Sequence, residues 1–95
     1  MNKEIIIGIY KITNKINGKI YIGQSKNIFK RWSEHRYEAK NNDKPLYKAF
    51  RKYGIENFSF EILEECKKEE LNKREIYWIS FYDTVKNGYK FDKNV

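Results

Sequence analysis

The sequence predicts a small α+β domain in which a three-stranded, mostly antiparallel sheet is flanked by helices. Three observations predict this class. Strand-like and helix-like hydrophobic patterns follow one another in the order β-β-α-α-β-α. A chain of 95 residues has room for one hydrophobic core. No repeat, low-complexity tract or linker-like segment divides it, so residues 1–95 are predicted to form a single domain.

The first two strands are predicted to form a hairpin. The segment Glu4–Thr13 (EIIIGIYKIT) is rich in β-branched and aromatic residues, which favour strands. Asn17 and Gly18 both tolerate positive φ and together form a strong turn signal. The returning strand is then Lys19–Gln24 (KIYIGQ).

Three helices and one more strand are predicted after the hairpin. The hydrophobic period becomes helical from about Asn27 to Ala39, and either Ser25 or Asn27 can cap this helix. Pro45 suits the first turn of a second helix, and Gly54 suits the position just past its end. The remaining elements are the strand Phe58–Glu64 and a helix from Glu69 to about Tyr82.

The charge balance favours an anionic partner. Lys and Arg number 20 against 13 for Asp and Glu, which gives a net charge of +7. A basic chain attracts nucleic acid through phosphate contacts and counterion release, and a solvated basic surface is the simpler alternative. The single cysteine, Cys66, fits a reducing compartment. Because no apolar run is long enough to cross a bilayer and no secretory signal is present, we expect a cytoplasmic protein without a membrane partner.

Three polar residues interrupt the apolar faces of the predicted helices. Arg31 and His35 lie four residues apart on the apolar stripe of the first helix, and Glu75 lies on that of the third. An unpaired buried charge is costly, so each of them needs a partner. Two interpretations stay open: Glu75 and Arg31 form a buried ion pair and His35 is a satisfied core histidine, or these residues form a functional site.

Two tyrosines of the hairpin are predicted to share one face of the sheet. In any register where opposed positions sum to an odd number, Tyr10 and Tyr21 point to the same side. Gly8 and Gly23 share that face and lack side chains, which permits close approach of a ligand. Ordinary packing on the sheet is the alternative explanation for the two phenols.

Taken together, these residues resemble the GIY-YIG endonuclease family. Gly8-Ile9-Tyr10 and Tyr21-Ile22-Gly23 match its paired motif. Arg31 and His35 stand where the family carries an arginine and a histidine, and Glu75 matches its metal-binding glutamate. The other matching segments are Tyr53–Phe58, Ile62–Glu64, Trp78-Ile79 and Asn87–Tyr89. The resemblance covers nearly the whole chain and is nearest to the catalytic domains of phage and intron-associated homing endonucleases, which implies the cytosol of a bacterium or a phage-infected host.

The resemblance implies a metal-dependent DNA endonuclease that hydrolyses phosphodiester bonds. Tyr10 is then expected to assist attack by water as the general base and Tyr21 to orient water or phosphate, and these two roles are interchangeable. Arg31 offers a bidentate fork to the scissile phosphate, and His35 accepts or relays a proton. Glu75 is the expected ligand of one Mg²⁺ or Mn²⁺, because magnesium often binds proteins through one or two carboxylates.

Two lysines are the candidate DNA contacts outside this set, Lys26 and Lys90. Lys90 replaces an asparagine that the family usually has after its closing Gly-Tyr pair. The alternative function is therefore a catalytically impaired nucleic-acid-binding module with the same fold, and a basic protein-interaction domain is a third hypothesis. The expected partner is duplex DNA. An additional DNA-targeting domain or a homodimer is compatible with the sequence, and neither is evident in it.

Overall fold

A computed structural model describes residues 4–82, and the predicted Asn87–Tyr89 turn and Lys90 lie outside these residues. The order of the elements is the predicted one, β-β-α-α-β-α. The strands are β1 (Gly8–Asn14), β2 (Ile20–Ser25) and β3 (Phe58–Glu65). The helices are α1 (Ile28–Glu38), α2 (Pro45–Tyr53) and α3 (Leu71–Tyr82).

The three strands form one sheet in the order β2-β1-β3, and both strand pairs are antiparallel. The β1–β2 turn is the predicted one: Gly18 has a φ of +79°, and the buried Asn14 side chain accepts hydrogen bonds from the turn backbone. β1 begins at Gly8 and not at the predicted Glu4. The carbonyl of Ile6 accepts from Ile28 and that of Ile7 from Cys66, so this segment is tied to α1 and to the chain after β3.

The two faces of the sheet carry separate hydrophobic clusters. Tyr10, Ile12 and Tyr21 point to the face covered by α1 and α2, where they pack with Ile28 and Phe50. The other face packs against α3, and its buried members are Ile9, Ile22 and Leu71. The sheet is therefore the middle layer, as expected from helices that each bury one apolar stripe.

The helix ends follow from local hydrogen bonds. Asn27 caps α1, because its side chain accepts a hydrogen bond from the Lys30 backbone amide. Of the two predicted capping residues, Ser25 and Asn27, the N-cap is therefore Asn27. Gly54 follows α2 as predicted. α3 begins at Leu71 and not at Glu69, since a short 3₁₀ turn precedes it. No helix within residues 4–82 is long and apolar enough to cross a membrane.

A polar contact joins β3 to α3 on the second face. The Glu64 carboxylate accepts from the Arg74 guanidinium at 2.8 Å and from the Trp78 indole N–H at 2.9 Å. The Trp78 hydrogen bond and then the Arg74 guanidinium hold the pKa of Glu64 below its ordinary value. Because a charged Glu64 is favoured in the folded state, this contact stabilises the fold when the carboxylate is ionised.

We expect Glu64→Gln to lower the free energy of unfolding by about 0.5–1 kcal/mol at pH 7, the range of partly exposed ion pairs. The folded pKa lies below the ordinary value of 4.5, so this stabilisation is complete above that pH and is lost as the pH falls through the lowered folded pKa. Urea denaturation at pH 7 and near pH 3 measures it, with Glu65→Gln on the exposed end of β3 as the control. Equal losses at both pH values would contradict the assignment.

Candidate active site

The two hairpin tyrosines share one face of the sheet, as the odd-sum register predicts. Tyr10 lies opposite Gly23, and Tyr21 lies opposite Ile12, so paired positions sum to 33. Both side chains are buried, and their ring centroids are 6.3 Å apart. The register therefore places two phenols side by side beneath α1.

The glycines beside the tyrosines make room for the protein's own atoms. A Cβ added to Gly23 would collide with the phenol end of Tyr10. A Cβ added to Gly8 would collide with the backbone carbonyl of Glu64, close to the irregular pairing of β1 with β3. The expectation that these glycines open space for a ligand was therefore wrong, because Tyr10 and β3 fill that space.

His35 is the centre of the buried polar cluster. Its side chain is fully buried, with Nε2 2.7 Å from the Tyr10 hydroxyl and Nδ1 2.7 Å from the Tyr47 hydroxyl. The Tyr21 ring packs edge-on against the imidazole at 5.7 Å between centroids. Both ring nitrogens thus have hydrogen-bond partners, as the core-histidine interpretation requires. The same contacts join the histidine to a tyrosine of the candidate site.

Arg31 lies at the solvent edge of this cluster. Its guanidinium is 3.2 Å from the Glu34 carboxylate and 3.8 Å from that of Glu38, both on α1. Partial burial is the largest single influence on the pKa of Arg31 and lowers it. The Tyr10 and Tyr47 hydroxyls, together with the carboxylates, outweigh burial and raise the pKa above its ordinary value. Arg31 is therefore a permanent cation next to the phenols.

Glu75 lies on α3, which packs against the opposite face of the sheet from the tyrosines. It is 4% exposed, and its Oε1 accepts a hydrogen bond from the side-chain amide of Gln24 at 2.9 Å. The same amide nitrogen donates to Oδ1 of Asn72 at 2.8 Å. Gln24 is near the end of β2, the edge strand, so this contact brings Glu75 to the edge of the sheet.

A pocket of about 400 Å³ lies at this edge, between α1 and α3. Its wall includes Arg31, the exposed Lys26 and Gln24, the residue that holds Glu75. Leu71, one turn before Glu75 on α3, closes the other side. Of the predicted catalytic residues, Arg31 lines the pocket directly. Tyr10 lies near Arg31 and contacts His35, and Glu75 is linked to the pocket through its hydrogen bond with Gln24.

Sequence reasoning missed three polar residues of this region: Tyr47, Glu38 and Gln24. The helical period of the second helix predicts a buried stripe of Leu46, Ala49, Phe50 and Tyr53, which omits Tyr47. A wider apolar arc running from Leu46 to Phe50 would have included it. Glu38 and Gln24 carried no local signal, because their partners lie on other elements of the fold. Their roles depend on tertiary contacts that hydrophobic periodicity does not report.

The residues around Glu75 suit a magnesium-like ion. Within residues 4–82, no group of three or more His, Cys, Asp or Glu side chains is arranged to hold a metal. Glu75 offers one buried carboxylate, and Gln24 and Asn72 lie next to it. The side-chain atoms of Glu75 and Asn72 that could bind a metal ion are oxygens. Hard cations such as Mg²⁺ prefer oxygen ligands and accept a site with one carboxylate completed by water and phosphate.

Comparison with known proteins decides the family. The sequence profile described as the GIY-YIG catalytic domain matches residues 6–90. The chain belongs to the GIY-YIG family. Intron-associated endonuclease 1 of Enterobacteria phage T4 is 36% identical over 87 residues, which is 86% of this chain and 35% of that protein. The chain therefore spans about a third of the length of this relative.

Solved structures of an endonuclease catalytic domain confirm the predicted α+β fold. The catalytic domain of homing endonuclease I-TevI superimposes with a TM-score of 0.80 at 33% identity, covering 92% of this chain and 99% of that one. A mutant form of the same catalytic domain gives a TM-score of 0.83 at 31% identity, covering 96% and 98%. Nearly all of this chain is thus similar to a catalytic domain, with the sheet and the three helices in the same arrangement.

A methyl group at Gly23 is expected to displace the Tyr10 phenol from His35. Gly23→Ala should cost about 1–3 kcal/mol of stability, the usual range for overpacking a filled site. It should also shift the side-chain NMR signals of His35, the single histidine of the chain. Gly18→Ala is the matched control, because its positive φ makes it strained while a Cβ there meets nothing within 4 Å. Unchanged His35 signals in Gly23→Ala would contradict this role of the glycine.

Proposed function

We propose that this domain is a DNA endonuclease that hydrolyses phosphodiester bonds with one divalent metal ion. The observation that carries the proposal is the 2.7 Å contact between the Tyr10 hydroxyl and His35 Nε2, next to a permanent cation at a pocket. Hydrolysis of a phosphodiester needs an activated water, compensation of charge on the phosphate and help for the leaving oxygen. This site offers Tyr10 to activate the water and Arg31 to compensate the charge on the phosphate.

The substrate proposed for the pocket is duplex DNA. The net charge of +7 attracts the phosphate backbone, and cations lie along one wall of the pocket, where Lys26, Lys30 and Arg31 follow one another from β2 into α1. A pocket of about 400 Å³ is large enough to receive a backbone phosphate and its sugar. Because phosphate contacts dominate such a surface, binding by this chain should be weak, salt-sensitive and nearly independent of sequence.

Tyr10 is the proposed general base, assisted by His35. A free tyrosine keeps its proton at neutral pH, since its ordinary pKa is about 10. Transfer of the Tyr10 proton to His35 breaks the phenol O–H bond and forms an N–H bond at Nε2. The phenolate then takes a proton from the attacking water, whose oxygen forms the new bond to phosphorus. The bond between phosphorus and the leaving oxygen breaks, and that oxygen takes a proton from solvent water. Tyr10 is preferred over Tyr21 for this role because its hydroxyl makes the contact with His35.

Tyr21, Arg31 and Glu75 are assigned the supporting roles. Tyr21 packs against His35 and Tyr10 and is proposed to orient water or phosphate through its hydroxyl. Arg31 is proposed to bind the scissile phosphate with its planar fork. Glu75, held by Gln24, is proposed to bind Mg²⁺ or Mn²⁺. The bound ion would supply a Lewis acid for the charge that develops on the phosphate oxygens.

Glu75→Gln tests the proposed metal-dependent cutting. The purified chain is expected to relax or linearise supercoiled plasmid with Mg²⁺ and not with EDTA. Replacing the carboxylate by an amide should slow cutting by about 100-fold or more, because it removes the charge that holds the ion. Glu69→Gln, at an exposed position just before α3, is the control and should cut like wild type.

The same assay separates endonuclease from binding module through Lys90→Asn. If wild type binds plasmid without cutting it and Lys90→Asn cuts, this chain is the impaired module of the alternative hypothesis. Metal-dependent cutting by wild type supports the endonuclease. If wild type, Glu75→Gln and Lys90→Asn all bind DNA and none cuts it, the endonuclease proposal is wrong. An absence of salt-sensitive DNA binding would leave the protein-interaction hypothesis.

Arg31→Lys is expected to slow cutting by about 10- to 100-fold, because lysine keeps the charge but cannot form bidentate hydrogen bonds to the phosphate. Arg36→Lys is the matched control on the same helix, since Arg36 is exposed and lies over the Phe60 ring. The measurement is the initial rate of plasmid cutting, with thermal melting to confirm that both variants are folded. Equal rates for the two variants would remove Arg31 from the proposed phosphate site.

A further inference from the structure

A chain of hydrogen bonds runs from Glu38 through Tyr47 and His35 to Tyr10. The Tyr47 hydroxyl donates to the Glu38 carboxylate at 2.9 Å and lies 2.7 Å from His35 Nδ1. His35 Nε2 lies 2.7 Å from the Tyr10 hydroxyl. The residues come from three elements, β1, α1 and α2, and Tyr10, His35 and Tyr47 are all buried.

Counting protons gives each hydrogen bond a direction. A tyrosine hydroxyl has one proton, and that of Tyr47 is donated to Glu38. The Tyr47 oxygen therefore acts as acceptor towards His35, which places a proton on Nδ1. A neutral imidazole carries one N–H, so Nε2 has a lone pair and accepts the proton of Tyr10.

We propose that Glu38 and Tyr47 are positioning residues that hold His35 in the tautomer able to take the Tyr10 proton. The inference rests on the proposed function, because it concerns the base of that reaction. Neither residue is placed against the substrate, and both act through His35. When the proton moves from the Tyr10 oxygen to Nε2, the imidazolium donates from Nδ1 to Tyr47, whose own proton remains directed to Glu38.

The charges around His35 are consistent with this arrangement. Phenols on three packed elements contact the imidazole, and two charged groups of α1 lie next to those phenols. They are Tyr10 of β1, Tyr21 of β2, Tyr47 of α2, and Arg31 and Glu38 of α1 itself. Arg31 alone would oppose a positive charge on the imidazole. The Glu38 carboxylate, 3.8 Å from Arg31 and bonded to Tyr47, offsets that repulsion.

Packing alone does not explain the hydroxyl of Tyr47. The ring is 2% exposed and packs against Phe50 at 5.9 Å and His35 at 5.6 Å between centroids. A phenylalanine would fill the same space and make the same ring contacts. The hydroxyl adds two hydrogen bonds, one to His35 and one to Glu38. Tyr47→Phe therefore removes the proposed positioning while keeping the packing.

The tautomer can be read directly, since His35 is the single histidine of the chain. In the full 95-residue chain with ¹⁵N-labelled histidine, long-range ¹H–¹⁵N NMR spectra at neutral pH distinguish a proton on Nδ1 from one on Nε2. We expect wild type to carry it on Nδ1. In Tyr47→Phe the acceptor at Nδ1 is gone, and we expect a large share of the proton to move to Nε2. Tyr37→Phe, at an exposed tyrosine of α1, should behave like wild type.

The second readout is plasmid cutting with Mg²⁺. Tyr47→Phe should cut about 10- to 100-fold more slowly than wild type, because the base loses its proton acceptor. Thermal melting checks that the variant is folded. A proton on Nε2 in wild type would overturn the proposal, as would a folded Tyr47→Phe that keeps the Nδ1 tautomer or cuts at the wild-type rate.

The two proposals fail in distinguishable ways. If wild type shows the Nδ1 tautomer but cuts no DNA, the endonuclease proposal fails, and with it the catalytic purpose of Glu38 and Tyr47. If wild type cuts and Tyr47→Phe changes neither the tautomer nor the rate, the endonuclease proposal stands and the positioning proposal fails.

Discussion

A fully buried imidazole must have a partner for each nitrogen, and most of the site follows from how the fold meets that demand at His35. One partner comes from β1 and the other from α2, while the histidine itself is on α1. These three elements must therefore pack at fixed distances on one face of the sheet. Gly23 contributes by leaving the space that the Tyr10 phenol occupies on the neighbouring strand. The polar contacts thus determine how closely the hairpin and the two helices approach one another.

The small size of the sheet explains how residues packed on its two faces reach the same edge. With three strands, β2 is an edge, so side chains from the helices above and below can reach around it. α1 presents Arg31 there and α3 presents Glu75 next to Gln24. In a wider sheet, β2 would have a neighbouring strand on each side and would no longer be an edge. Further strands would then separate α1 from α3.

Sequence patterns predicted the fold and the candidate site residues to the extent that each residue carried a local signal. Arg31, His35 and Glu75 were visible because they interrupt apolar stripes of period 3.6, and the shared face of Tyr10 and Tyr21 follows from strand parity. The partners of these residues were not visible. Tyr47 lies 12 positions from His35, and Gln24 lies 51 positions from Glu75, so no local period relates them. The predicted role of Gly8 and Gly23 was wrong for the same reason. The sequence shows only that these two positions lack side chains, and the packing of the whole sheet decides which atoms fill the space.

The carboxylates around Arg31 reconcile its burial with the proposed role in binding phosphate. A guanidinium at the edge of an aromatic cluster needs a counterion, and Glu34 and Glu38 provide it from the same helix. Their side chains remain 43% and 41% exposed, and their distances to Arg31 of 3.2 and 3.8 Å are longer than those of strong charge-assisted hydrogen bonds. Such exposed pairs contribute about 1 kcal/mol or less, so a phosphate that forms two short hydrogen bonds can replace them. The two carboxylates therefore compensate the charge of the partly buried arginine, and their contacts are weak enough for a phosphate to replace them.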